Sequence, residues 1–254
     1  LLIPIFFSIN DAYGEEIWIT YSEQTDKIVL DGIWTDKTEW KSSSEDVIAY
    51  DNENRFAIRS AHDRNNIFLL IDFFSDDKIS SNSDELLLCI GPTNIEEANS
   101  KQYCFSLKFN SNELKINQLH INEQEINILK IDNDLQVEVK SGVSNIHNRY
   151  SQIPHISYEL KIPVDKIGRD NIYNFYLKLY DADTNRYFTW PNNIEENNLD
   201  IPLTEKWGKL VSPDKTIPEF GIPMIILMIT IISIIISTKI FRSTRDRKST
   251  RLNS

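Results

Sequence analysis

The sequence predicts an all-β fold, a two-sheet antiparallel sandwich of jelly-roll-like form, followed by one C-terminal transmembrane helix. Three patterns carry that prediction. Several stretches alternate apolar with polar residues, as half-buried strands do: Leu135, Val137 and Val139; Ile156, Tyr158, Leu160 and Ile162; Tyr173, Phe175, Leu177 and Leu179. Two stretches, Ile67 to Ile71 and Leu86 to Ile90, are continuously apolar, the mark of strands near the middle of a layered sheet. One run, Ile222 to Thr238, has no charged side chain at all, and its isoleucines surround the whole circumference of a helix.

In chain order, Leu1 to Ile9 is apolar and leads to small residues at Ala12 and Gly14, the h-region and cleavage zone of a partial signal peptide over 1–14. Residues 15–211 then form one large domain, with shorter strands expected around Phe56 and Ile58, Phe105 to Phe109, and Leu114 to Ile116. Asn, Asp and Ser clusters supply the turns between them. Ser212 to Thr216 is a linker, 217–241 the membrane segment and 242–254 a basic tail. Lys239, Arg242, Arg245, Arg247, Lys248 and Arg251 follow the apolar run, which by the positive-inside rule puts the C-terminus in the cytoplasm and the domain outside the cell. The last residues, 247–254, resemble translated adapter sequence and are given no functional weight.

Charge and composition exclude several classes. Formal net charge is −11, and Glu15 to Thr216 holds 35 Asp or Glu against 21 Lys or Arg, which argues against nucleic acid as a partner. Seven glycines leave no phosphate-cradling loop and no dinucleotide fingerprint. The pairs Glu15-Glu16, Glu96-Glu97 and Glu195-Glu196 are sequence neighbours that point to opposite faces of an extended chain, unlike converging catalytic carboxylates, so no enzyme is expected.

Two clusters of oxygen ligands follow strands: Asp72, Asp76 and Asp77, then Asp181, Asp183 and Asn185. Alternating carboxylates in a turn suit a hard cation such as Ca²⁺; the other reading is a solvated Asx turn. Cys89 and Cys104 lie in neighbouring strand candidates. Outside the cell a disulfide closing that loop is permitted; two buried free thiols are the alternative.

Two resemblances extend this reading. Pro218-Glu219-Phe220-Gly221, one hydrophobic helix and a short basic tail resemble the C-terminal sorting signals processed by archaeosortases in ammonia-oxidising archaea. The resemblance implies cleavage near the tetrapeptide and transfer to a surface anchor; a permanent single-pass anchor gives the same cell-surface compartment.

The second covers about Ile28 to Val211. Ile28-Val29-Leu30-Asp31-Gly32 with Asp36 and Glu39-Trp40, then Phe68 to Asp72 with Asp76, Asp84 to Leu88, Tyr158 to Pro163, Phe175 to Asp181 with Asp183, and finally Trp190 and Trp207-Gly208 resemble the family 9 carbohydrate-binding modules and their DOMON-like relatives. What the family implies is an initial strand ending at Asp31-Gly32, a core Trp40, structural calcium, and non-catalytic binding of a polysaccharide or surface glycan by aromatic stacking, here with Trp190, Trp207 and Trp34. The pattern departs at Ser80-Ser81-Asn82-Ser83, where sugar-binding members carry a Trp, which leaves a structural or adhesive envelope protein as the rival. Haem-binding relatives imply a third reading, in which His62, His120, His147 or His155, or a Lys, would supply an axial ligand; no pair stands in a telling spacing.

Overall fold

The structure, a computed structural model, describes residues 15–50, 54–81, 83–93, 101–121, 126–131, 135–144, 151–192, 201–213 and 230. The chain divides into two compact units, Leu1–Pro213 and Asp214–Ser254. The expected signal peptide, the Pro218 to Gly221 motif, the basic tail, His147, and the pairs Glu96-Glu97 and Glu195-Glu196 lie outside the described residues. So does the membrane segment, apart from Thr230. Among the described residues no helix is long and apolar enough to cross a membrane.

The first unit is a mostly β domain of two sheets. Its strands are β1 (Glu16–Trp18), β2 (Thr20–Tyr21), β3 (Ser44–Ala49), β4 (Arg55–His62), β5 (Asn66–Phe73), β6 (Glu85–Pro92), β7 (Gln102–Lys108), β8 (Leu114–Ile121), β9 (Ile126–Ile131), β10 (Glu138–Ser144), β11 (His155–Pro163), β12 (Ile172–Asp181), β13 (Arg186–Trp190) and β14 (Gly208–Val211). A four-residue helix, α1 (Val164–Ile167), follows β11. The larger sheet runs β1-β14-β12-β6-β7-β8-β9, with β13 also paired to β12. The smaller runs β10-β11-β5-β4-β2, with β3 also paired to β4. The sheets are mixed rather than purely antiparallel, because β1 joins β14 and β2 joins β4 in parallel register. A single chain crossing from one sheet to the other at Ile19 supplies both of these short edge pieces.

The alternating segments form strands for the reason the pattern implies. Tyr173, Phe175, Leu177 and Leu179 of β12 and Ile156, Tyr158, Leu160 and Ile162 of β11 all point into one shared core between the sheets. Each such side chain contributes about 1.5–3 kcal/mol by leaving water. The continuously apolar strands are covered on both faces. In β5, Ile67, Leu69 and Ile71 face the shared core, whereas Phe68 and Leu70 pack outward under Trp34 and Trp40. In β6, Leu86, Leu88 and Ile90 face in, and Cys89 packs outward with Cys104, Tyr176 and Trp207.

The segment before β3 departs from expectation. Ile28 to Leu30 is not a strand: Ile28 N–H closes a turn on the Thr25 carbonyl (3.1 Å), and the donors that follow go largely to side chains instead of a neighbouring strand. Val29 N–H donates to Glu39 Oε1 (2.8 Å), and Asp31 and Gly32 N–H groups both donate to Glu159 Oε2 (3.0 and 2.9 Å). Trp40 Nε1–H donates to Glu159 Oε1 at 2.8 Å, and Ser157 Oγ donates to the Gly32 carbonyl at 2.6 Å. Gly32 has φ +93°, and a Cβ there would lie 2.3 Å from the Ser141 carbonyl carbon, so only glycine fits. Trp40 is fully buried, as expected. Ser212, expected to open a linker, is instead fully buried, with its N–H on the Asn171 carbonyl (2.8 Å) and its hydroxyl 3.1 Å from His62 Nε2.

Cys89 and Cys104 are register partners in β6 and β7, their Cα atoms 4.0 Å apart and their sulfurs bonded. The bridge spans a sequence separation of 15 residues. A loop of that size confines the unfolded chain by about 3 kcal/mol, and in a domain of this length each kcal/mol moves the melting midpoint by about 2–4 °C. A Cys89→Ala, Cys104→Ala double variant is therefore expected to melt roughly 6–12 °C lower by circular dichroism; an unchanged midpoint would remove the cross-link from the stability of the fold.

Candidate functional site

The outer face of the larger sheet is built by strand parity. Residues of β12, β6, β7 and β8 that do not face the core line up across it in two rows set by the register. One row is Tyr187, Tyr180, Glu85 and Lys108; the next is Lys178, Leu87, Ser106 and Lys115. Between them and Ser83, Asn117 and Ile201 lies a groove of about 440 Å³. Tyr180 and Tyr187 form one wall, their ring centroids 4.8 Å apart and their planes 32° from parallel. Tyr180 O–H donates to Asn185 Oδ1 (2.9 Å), and the Lys178 ammonium lies 5.4 Å from the Tyr187 ring centre. Ser106 Oγ donates to Glu85 Oε1 in the floor. Such a surface offers apolar ring area beside polar groups of both hydrogen-bonding senses.

The three tryptophans expected to stack on a ligand do not line this groove. Trp190 is 2% exposed, packs on Phe175 at 5.6 Å, and leaves so little room that a Cβ on Gly208 would come within 2.3 Å of its ring. Trp207 is 1% exposed, stacks on Tyr176 over the disulfide, and donates Nε1–H to the Pro202 carbonyl (2.7 Å). Trp34 is 9% exposed beneath the Arg59 guanidinium, 4.6 Å from its ring centre. Arg59 in turn pairs with Glu45 and donates to the Trp40 carbonyl. All three rings are packing surfaces with no free face. Tyr180 and Tyr187 were recoverable from sequence, since parity sets Tyr180 opposite the core residue Leu179 and the short Ala182–Asn185 turn returns Tyr187 beside it.

The acidic loops are also re-sorted. The carboxylates that converge are Asp76, Asp84 and Asp181, all buried, with oxygens within 4.8 Å of one another. Asp84, which sequence reasoning left out, accepts from Ser80 N–H (2.6 Å) and Ala182 N–H (2.9 Å), tying the β5–β6 connection to the β12–β13 turn. Asp181 accepts from Asp183 N–H, Thr184 N–H and the Thr184 hydroxyl. Asp76 Oδ2 is buried without a hydrogen-bond partner among the described residues. Burial, and then the charges of Asp181 and Asp84, push the Asp76 carboxyl up to about 7. The other expected ligands turn elsewhere. Asp72 pairs with His155 Nε2 (2.7 Å), Asp183 with Lys78 (2.8 Å), Asn185 with Tyr180, and Asp77 is exposed. Three buried carboxylates, one of them with an orphaned oxygen, fit a hard divalent cation, which would neutralise the repulsion and use the free lone pairs.

Two of the candidate haem histidines are engaged at both ring nitrogens. His155 Nδ1 meets the Ile153 carbonyl (2.6 Å) as Nε2 meets Asp72, and His62 uses Ser212 and Arg64 N–H. Burial alone would lower His155, but its hydrogen bond to Asp72 and that residue's charge outweigh it and raise the imidazole above its usual value. The His120 side chain lies outside the described residues.

No family model and no curated protein sequence matches the chain. Among solved structures it resembles a family 9 carbohydrate-binding module from Caldicellulosiruptor kristjanssonii, in complex with cellotriose: 13% identity, TM-score 0.50, covering 82% of this chain and 100% of that one. A candidate carbohydrate-binding protein from Bacteroides uniformis is similar at 11% identity and TM-score 0.48, over 78% and 99% of the two chains. The likeness to the first of these agrees with the two-sheet β-sandwich described above.

The acidic cluster makes a signed prediction. Because folding raises Asp76 from 3.8 to about 7, its contribution to stability is present below pH 4 or so and is lost as pH rises through about 7 when no cation is bound. Ca²⁺ is expected to reverse that loss and raise the melting temperature at pH 7.5. Asp76→Asn should flatten the pH dependence and abolish the Ca²⁺ effect; a Ca²⁺-induced rise that survives the substitution would place the ion elsewhere.

Proposed function

We propose that the chain is a non-catalytic carbohydrate-binding protein whose ligand lies in the outer groove of the larger sheet. The observation that carries this reading is the groove itself: the Tyr180–Tyr187 wall stands over a polar floor of Glu85, Ser106 and Asn117. A sugar ring lays its C–H face on aromatic carbon and exchanges hydroxyl hydrogen bonds with polar side chains at the edge. The sandwich likeness to a module solved with cellotriose supports the reading. In it, Ca²⁺ held by Asp76, Asp84 and Asp181 clamps the β5, β6 and β12 ends beside the Tyr180–Tyr187 hairpin.

The apolar run 217–241 holds this module at the cell surface, and Pro218 to Gly221 is where an archaeosortase-like enzyme cuts it. Replacing Phe220 and Gly221 together is expected to leave a larger, unprocessed species on immunoblots of cells. Equal mobility of variant and parent would assign the run as a permanent anchor.

A rival reading, an envelope protein without sugar binding, is favoured by one feature. Ser83 lines the groove at the stretch where sugar-binding members carry a tryptophan, so only one aromatic wall stands. A glycan array probed with the full chain in detergent separates the two. Binding is expected, and Tyr180→Ala with Tyr187→Ala should weaken it by tenfold or more, about 1.4 kcal/mol, since both rings that would carry the sugar's C–H face are removed. Absence of binding to every glycan would transfer the assignment to the envelope role.

A further inference from the structure

The charges in the groove run against those of the molecule. The chain carries a formal charge of −11, yet three lysines, Lys108, Lys115 and Lys178, line the groove against one carboxylate, Glu85, which already accepts from Ser106. From these positions we infer that the groove takes an anionic glycan, a polysaccharide bearing carboxylate or sulfate groups; this deepens the proposed function and rests on it.

Register gives the arrangement its shape. Lys178, Leu87, Ser106 and Lys115 are successive partners across β12, β6, β7 and β8. With strands about 4.8 Å apart, the backbone positions of the two lysines stand roughly 14 Å from each other, with Leu87 and Ser106 between. Lys108 lies two residues beyond Ser106 on the same face of β7. A sugar chain lying across the strands therefore meets the Lys115 ammonium at one end of the row, an aliphatic surface in the middle, and the Lys108 ammonium at its flank, while Lys178, buried against the Tyr187 ring, closes the other end. Lys108 and Lys115 are exposed, and among the described residues neither has a carboxylate at ion-pair distance. Their charge is thus available to a ligand. Long-range repulsion from the acidic surface is screened within about 8 Å at physiological salt, so local cations decide what binds. A neutral glycan would need none of these ammonium groups.

The test is a titration of the full chain in detergent with polygalacturonate, dextran sulfate, dextran and a cellulose oligosaccharide, at low and high NaCl. At least one of the two anionic polymers is expected to bind about tenfold or more tightly than the neutral ones, and to lose that advantage at high salt. Lys108→Gln with Lys115→Gln should weaken the anionic polymer about tenfold, weaken a neutral glycan far less, and leave the melting temperature unchanged. The stronger of the two anionic arms names the anion as carboxylate or sulfate. Equal or tighter binding of a neutral glycan overturns this inference and leaves carbohydrate binding standing; anionic binding indifferent to the lysine changes overturns it as well. No binding by any polymer overturns both.

Discussion

One carboxylate without access to water organises the smaller sheet. Glu159, fully buried, takes three N–H donors, from Asp31, Gly32 and Trp40, and so fixes the approach of a long connection to the sheet's outer face. Burial pushes its carboxyl up to about 8 even though those donors favour the charged form. Removing the donors would leave a buried acceptor unmet, at a cost of about 1–3 kcal/mol. The cap of Trp34 and Trp40 over Phe68 and Leu70 depends on this attachment.

That closure decides where a ligand can go. The outer face of the smaller sheet is capped over Phe68 and Leu70, and the hollow of about 760 Å³ beside the cap, lined by Asn65, Glu138, Lys161 and Arg169, has no aromatic wall among the described residues; the face between the sheets is filled by core. The larger sheet is covered only in part, where Trp207 and Ile201 lie against Cys89, Cys104 and Tyr176. Its remaining outer face, bordered by the Tyr180–Tyr187 hairpin, is the groove. Position therefore follows from which surfaces the connections leave bare, and the chemistry of the groove follows from strand parity.

Much of the fold was legible because its long strands carry long patterns. β11 and β12 alternate over many residues, and β5 and β6 are apolar on both faces because both faces are covered. The edge pieces β1 and β2 were not legible: two or three residues hold too little periodicity to register, and their parallel pairing is a property of partners nearly 200 and 40 residues away. The Asp31-Gly32 and Trp40 signature was visible, but its purpose was not, since Glu159 lies more than 100 residues on. Chain proximity also misled. It grouped Asp72 with Asp76 and Asp181 with Asp183, whereas Asp72 turned to His155, Asp183 turned to Lys78, and the cluster was completed by Asp84. For aromatics the sequence revealed residue type; whether a ring faced core or solvent was set by register, and large rings such as Trp190 and Trp207 went inside.

The disulfide changes what a single cut in the backbone can do. Cys89 and Cys104 join β6 to β7 on the same face as the groove, and every residue from Ile90 to Tyr103 lies inside the closed loop. A protease that severs any one peptide bond there produces two fragments still held by a covalent bond at the centre of the larger sheet. Glu85 and Leu87 stay in register with Ser106 and Lys108. Nicking then becomes a local event, and the chain survives as one molecule with its groove assembled.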